Sequence, residues 1–396
     1  MQIGYANSIM RRRMELNPRF FRPPLGTFFL LGPRGTGKTL WTRQRYPDAV
    51  RVDLLDPGEL REMSARPERL RERIAGAPDA KTVVIDEVQK LPALLEVVHG
   101  LIEERRGLQF VLTGSSARKL RRGGVNLLGG RAAWKTLHPF MAAELGTSLD
   151  LNDALRLGML PVVRGAIDPA ETLRAYSGLY LREEVQAEGL VRQVGSFSRF
   201  LEGIAFSQAS VLNLSSVARD CQVNRKTAEG YLNILEDLLL GFQVPVFTRR
   251  AKRAMAAHPK FYYFDSGVFR SNRATGPLDS TAEIDGAALE GLVAQHLRAW
   301  CDYSEGDHRL HYWQTRNQVE VDCVIYGASG LFAVEVKNSD RVRPEDLRGL
   351  RSFGEDYPES RRYLVYRGTD RLLRDGILIL PAGEFLTRLK PDDFPA

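Results

Sequence analysis

Short apolar runs, set between polar stretches of helical character, dominate the first third of the chain. Thr27-Phe28-Phe29-Leu30-Leu31, Thr82-Val83-Val84-Ile85 and Gln109-Phe110-Val111-Leu112-Thr113 are continuous rather than alternating, the mark of strands buried on both faces. Strands alternating with helices over residues 26–145 predict a parallel sheet flanked by helices. The pattern then turns helical over residues 150–195, with a break at Leu155–Pro161. Leu173, Tyr176, Leu179, Tyr180 and Leu181 resume at helical spacing. Over residues 200–265, a short capped helix at Leu214–Asp220, a turn at Val223-Asn224 and a helix at Arg225–Leu235 form a helix–turn–helix. The apolar segment Leu238–Phe247 and a basic stretch follow, the order of a winged helix.

A third pattern begins near residue 280. A helix carries Glu290, an alternating strand runs over Gln318–Ile325, Gly327–Gly330 turns the chain, and a strand returns over Leu331–Lys337. A helix at Asp346–Phe353 and a strand at Arg362–Tyr366 complete a small α/β unit. The expected fold class is therefore α/β. Its parts are a basic leader (1–25), a P-loop core (26–145), a helical lid or connector (146–199), a winged helix (200–265) and a nuclease-like domain (280–396).

Composition narrows the partners. The chain has 396 residues, enough for several cores, and a net charge of +7. That charge favours an anionic partner such as DNA. Cys221, Cys301 and Cys323 are widely spaced, which suggests neither a disulfide framework nor a zinc site. No apolar run reaches membrane-spanning length, and Arg11-Arg12-Arg13 precede no apolar segment of a secretory signal, so a cytoplasmic protein is expected.

The chemistry is concentrated in two places. Gly32-Pro33-Arg34-Gly35-Thr36-Gly37-Lys38-Thr39 is a complete phosphate-binding loop between a strand and a helix. Its backbone N–H groups can surround a β-phosphate, Lys38 can reach the β- and γ-phosphates, and Thr39 can ligate Mg²⁺. ATP and Mg²⁺ are the expected cofactors. Asp86 and Glu87 end an apolar strand in the Walker B manner: Asp86 to hold Mg²⁺, Glu87 to orient the attacking water. Arg131, in a glycine-rich turn, is a candidate arginine finger toward a neighbouring subunit. In the second place, Asp322 and Glu335 with Lys337 have the layout of a Mg²⁺-dependent phosphodiesterase, and Glu290 is a further candidate ligand. Between the two, Arg225, Lys226 and Thr227 open the second helix of the helix–turn–helix as candidate DNA contacts. Arg249, Arg250, Lys252 and Arg253 could sit on phosphates.

Taken together, these motifs resemble prokaryotic AAA-type ATPases with a C-terminal domain long labelled as of unknown function. The resemblance runs from about residue 26 to 380. It is carried by the phosphate loop, Ile85–Pro92, Leu112-Thr113-Gly114-Ser115-Ser116, Tyr262–Gly267, and Glu320-Val321-Asp322 with Glu335-Val336-Lys337. It implies that Ser115 or Ser116 is a sensor of the γ-phosphate. It also implies a PD-(D/E)xK nuclease fold, which includes Holliday-junction resolvases, at the C-terminus. Gln314 and Gln318 stand where an arginine and a glycine would be expected, which argues against cleavage. The leading expectation is a homo-oligomeric ring or partial ring, up to a hexamer, that hydrolyses ATP to move or remodel DNA, including branched DNA and branch migration. An ATP-gated metal-dependent nuclease and an ATP-dependent switch acting on protein partners are the alternatives.

Overall fold

The computed structural model describes residues 18–104, 107–116, 128–146, 149–180, 194–249, 255 and 258–396. They divide into two compact units. One comprises Phe21–His138 with Asp237–Leu239; the other comprises Pro139–Glu236 and Leu240–Ala396, with residues 18–20.

The first unit is built on five strands: β1 (Phe28–Leu31), β2 (Val50–Asp53), β3 (Thr82–Asp86), β4 (Gln109–Gly114) and β5 (Ala133–Thr136). All pair in parallel, in the order β2-β3-β4-β1-β5. Every residue of β1 is buried, as continuous apolar strands require when helices cover both faces. Phe29, Val83, Ile85, Phe110 and Leu112 meet Leu94, Leu95 and Val98 of the helix Leu94–Glu103 in one core. After β3 the sequence predicts a helix that starts over Val88-Gln89-Lys90-Leu91-Pro92; the structure has instead a 3₁₀ turn over Val88–Lys90. Pro92 disfavours helical dihedrals at the residue before it, and Leu91 lies at φ −140°, ψ 73°. The end of the expected leader is not a free tail. Phe21 is buried against Phe28 and Trp41, and in the other unit Arg19 pairs with Glu144 at 3.2 Å.

In the second unit, helices Leu151–Leu157, Pro161–Arg164 and Pro169–Ala175 precede a distinct arrangement. It runs helix Val194–Ala205, β6 (Ser210–Val211), helices Leu214–Asp220 and Arg225–Asp237, β7 (Gly241–Val244) and β8 (Lys260–Tyr263). The three strands form an antiparallel sheet with β8 in the middle. Asn213 and Asn224 cap the two helices of the turn, accepting from Ser216 N and Thr227 N at 3.1 and 2.8 Å.

The C-terminal sheet has six strands in the order β13-β14-β12-β11-β10-β9. These are β9 (Arg309–Gln314), β10 (Glu320–Gly327), β11 (Gly330–Lys337), β12 (Arg361–Tyr366), β13 (Leu372–Arg374) and β14 (Ile377–Pro381). Strands β9, β10 and β11 form an antiparallel meander; β11 reaches parallel β12 through the helix Arg348–Asp356. The 23-residue helix Thr281–Tyr303 packs on the sheet with most of its residues buried. The sheet and the helix–turn–helix arrangement both fall in the second unit. Gln318, expected in the strand, lies before it at φ 60°, so β10 begins at Glu320. A glycine would adopt that left-handed conformation with less strain.

Candidate functional sites

The phosphate loop joins β1 to the helix Lys38–Arg45, and Gly35 and Gly37 take φ 84° and 90° to make its turn. Lys38 Nζ donates to the carbonyls of Gly32 and Pro33 at 2.6 and 3.3 Å, which holds the ammonium at the loop's centre. Thr36 is buried and its hydroxyl donates to Pro33 O; Arg34 is exposed. Thr39 Oγ1 donates to Asp86 Oδ2 at 2.6 Å, so the two candidate Mg²⁺ ligands converge from β1's loop and the end of β3. Thr113 of β4 donates its hydroxyl to the other Asp86 oxygen and accepts from Glu87 N at 3.1 Å. β4 can do this because it lies between β1 and β3.

Glu87 sits at φ 58° directly after β3. Its carboxylate is shared by two donors: Gln89 Nε2, and Ser115 Oγ at 3.3 Å. Gln89 Nε2 also donates to Ser115 Oγ at 3.0 Å. Ser116 is buried beside this group in sequence. A Cβ on Gly114 would come within 2.6 Å of Gln89 Oε1, so the amide occupies the space that a larger residue there would fill. Thr113 and Gln89 were not singled out from sequence. The available signal was a polar residue closing an apolar strand in one case, and a glutamine two residues after Glu87 in the other. Arg131 is half exposed and pairs with Glu103 at 2.6 Å, at the end of the helix Leu94–Glu103.

In the second unit, Arg225 and Lys226 are exposed in the first turn of their helix, and Arg225 pairs with Glu229 at 3.0 Å. Thr227 is half-buried, its N–H taken by the Asn224 cap. Arg249 lies over the ring of Tyr326 in β10, 4.7 Å from its centroid. Arg250, Lys252 and Arg253 fall outside the described residues.

The C-terminal acids meet as their spacing suggested. Cys323 pairs with Val334, which sets Asp322 beside Glu335, and Asp322 Oδ2 accepts from Val336 N at 2.9 Å. Lys337 Nζ donates to Glu335 at 2.6 Å. The residue that sequence reading missed is Lys260. It opens β8 and is 2% exposed. Its ammonium lies 2.9 Å from Glu290 Oε1 and 3.2 Å from Asp322 Oδ1, and it also pairs with Glu320. A lone charged residue in the apolar strand Lys260–Tyr263 was the signal, since buried lysines are nearly always paired. Tyr262 donates its hydroxyl to Glu290 at 2.7 Å, and Gln314 donates its amide to Glu320 at 2.6 Å.

Burial and Asp322 push the Glu290 carboxyl up to about 7, against the pull of Lys260. Burial and Asp322 also hold Glu335 well above the carboxylate range. Burial alone would raise Asp322, but Lys260 and Lys337 bring it below its ordinary value. Burial would lower Lys260; Glu290 and the other anionic neighbours reverse this and raise it well above the usual lysine range. Among the described residues, no group of three or more His, Cys, Asp and Glu side chains is arranged to hold a metal ion. With Lys260 seated among the carboxylates, the expected Glu290–Asp322–Glu335 set does not fit a resident Mg²⁺.

Comparison with known proteins divides the chain in three. Residues 26–146 match an AAA domain, which supports a P-loop core of AAA type there. Residues 149–277 and 285–385 match two domains of unknown function, DUF8612 and DUF4143. No curated protein matches the chain. Similar solved structures include a DNA replication initiation factor, 13% identical, covering 59% of this chain and 87% of its own at a TM-score of 0.25. A Vibrio cholerae protein is 12% identical, covering 92% and 96%, with a TM-score of 0.22. A type III CRISPR defence DNA nuclease activated by cyclic oligoadenylate is 13% identical, covering 90% and 48%, with a TM-score of 0.18.

The AAA domain supports ATPase activity and implies nucleotide binding, typically with Mg²⁺. Its loop fits that cofactor pair: a buried ammonium at the centre of the turn, and a hydroxyl and a carboxylate in contact that could both hold Mg²⁺. No described helix is long and apolar enough to cross a membrane. Gln89 donates to the Glu87 carboxylate and to Ser115 Oγ, contacts that fit a positioning residue. Gln89→Ala is expected to lower kcat for ATP about 10- to 100-fold while leaving KM nearly unchanged. Steady-state phosphate release separates the two constants, and an effect confined to KM would remove the positioning role.

Proposed function

We propose that this protein is an ATPase that couples hydrolysis in its AAA domain to the movement or remodelling of DNA, held by the helix–turn–helix in the second unit. In the AAA domain, Lys38 would bind the β- and γ-phosphates, Thr39 and Asp86 would hold Mg²⁺, and Glu87 would accept a proton from water. Mg²⁺, when bound, supplies charge compensation at the phosphates. Ser115 and Gln89 orient Glu87. Arg131 is proposed to act across a subunit boundary in an oligomer, leaving its pair with Glu103.

The observation that carries the DNA reading is the placement of Arg225 and Lys226. Cations in a first helical turn oppose the helix dipole; that turn holds no acid, and Glu229 just beyond it pairs with Arg225 at the exposed surface. The cost is recovered when an anion meets the helix N-terminus, as a phosphate does. The helix–strand–helix–helix–strand–strand order, with β8 central, supports a winged helix presenting that end. Branched DNA is the proposed substrate class.

The test is salt-dependent binding to duplex and four-way DNA. Arg225→Ala with Lys226→Ala is expected to weaken binding and to reduce the slope of log K against log salt by about one unit for each phosphate no longer neutralised. An unchanged slope, with DNA leaving ATP turnover unaltered, would instead favour a switch that acts on protein partners.

A further inference from the structure

We propose that Lys260 is a built-in counter-cation that occupies the divalent-metal position of the C-terminal carboxylate cluster, so that the native protein excludes metal there and gains a binding site only when the ammonium is removed.

The acids come from three directions. Glu290 projects from the helix Thr281–Tyr303, Glu320 and Asp322 from β10, and Glu335 from β11. Such convergence ordinarily calls for a cation, because carboxylates do not share a buried space without one. Here the cation arrives on a fourth element, β8. Its ammonium touches three of the four acids, while Lys337 serves the fourth. An ammonium nitrogen stands about 2.7–2.9 Å from carboxylate oxygens, whereas Mg²⁺ requires about 2.0–2.1 Å in a near-octahedral shell. The two cannot share one position. Lys260 is also fixed from behind: β8 pairs with β6 on one side and β7 on the other, and the ammonium lies 5.6 Å from the centroid of the Tyr312 ring.

One acceptor is left over. Glu335 Oε2 is buried and has no hydrogen-bond partner among the described residues. With the Lys260 ammonium gone, the Glu320 and Asp322 side chains would be left without their shared cation and, with Glu335, free to close around a divalent ion such as Mg²⁺ or Mn²⁺, which takes oxygen ligands.

The experiment is Mn²⁺ titration of the full, nucleotide-free chain, with free Mn²⁺ read by electron paramagnetic resonance. The wild-type isotherm is expected to be unchanged by Asp322→Asn. Lys260→Met is expected to gain about one equivalent of Mn²⁺, lost again when Asp322→Asn is added. Lys337→Met, with Lys260 intact, is expected to gain none. Should Lys260→Met fail to fold, Lys260→Met with Glu290→Gln removes one charge of each sign, and the same gain is expected of it. The proposal is overturned by a wild-type Mn²⁺ site that disappears in Asp322→Asn, by a gain in Lys337→Met, or by a folded Lys260 variant that takes up no additional Mn²⁺.

Discussion

ATP turnover by Glu87→Gln protein is expected to fall about 10²- to 10⁴-fold, with nucleotide affinity nearly unchanged. The glutamine keeps the size and hydrogen-bonding reach of the side chain at the end of β3, but it cannot accept a proton from water. Asp86, Thr39 and Lys38 remain in place to bind the nucleotide. Lys38→Ala differs in kind, because it removes the cation at the centre of the loop and so reduces binding itself. Fluorescent-nucleotide titration together with phosphate release resolves the two cases. A Glu87→Gln enzyme that turns over at the parental rate would remove the catalytic assignment.

The second large effect is on stability. Lys260→Met is expected to destabilise the second unit by about 3–5 kcal/mol at neutral pH, because the buried Asp322 and the half-buried Glu290 and Glu320 lose their shared cation. The loss carries a pH signature. Burial and Asp322 already place Glu290 at about 7 in the native protein, and without the ammonium the carboxyls move higher still. A group whose folded pKa is raised stabilises the fold below its unfolded pKa and loses that contribution as pH rises through the folded value. The deficit of the variant should therefore be small near about pH 5 and grow as pH rises through neutrality. Denaturant unfolding across that range measures it. A deficit that does not vary with pH would show that lost packing of the lysine stem, not unpaired charge, is responsible.

The sequence revealed what depends on neighbours along the chain. The phosphate loop, β1 and β3 were legible because the glycine spacing and the apolar runs are local, and the helix–turn–helix because Asn213 and Asn224 cap its helices within three residues. The pairing of Asp322 with Glu335 followed from strand alternation across a short turn. Other features were out of reach. Lys260 lies 30 residues from Glu290 and 62 from Asp322, and no periodicity reports a contact between strands of different sheets. Gln89 was visible as a letter but not as a partner, because its bond to Ser115 depends on β3 and β4 lying side by side. The helix expected at Val88 failed through a single proline effect that residue patterns weigh too lightly.

The ion cluster also bears on how such a chain could evolve. The two regions of unknown function are bounded at residues 277 and 285, as if they were separable cassettes. Lys260 belongs to the first and all its acidic partners to the second. A gene fragment encoding only the first would strand an ammonium in an apolar strand, and one encoding only the second would inherit four acids with Lys337 alone to balance them. Either half moved to a new context is expected to need a compensating substitution. The two are bound to descend together, and a change at residue 260 in any descendant should be matched by changes at 290, 320 or 322.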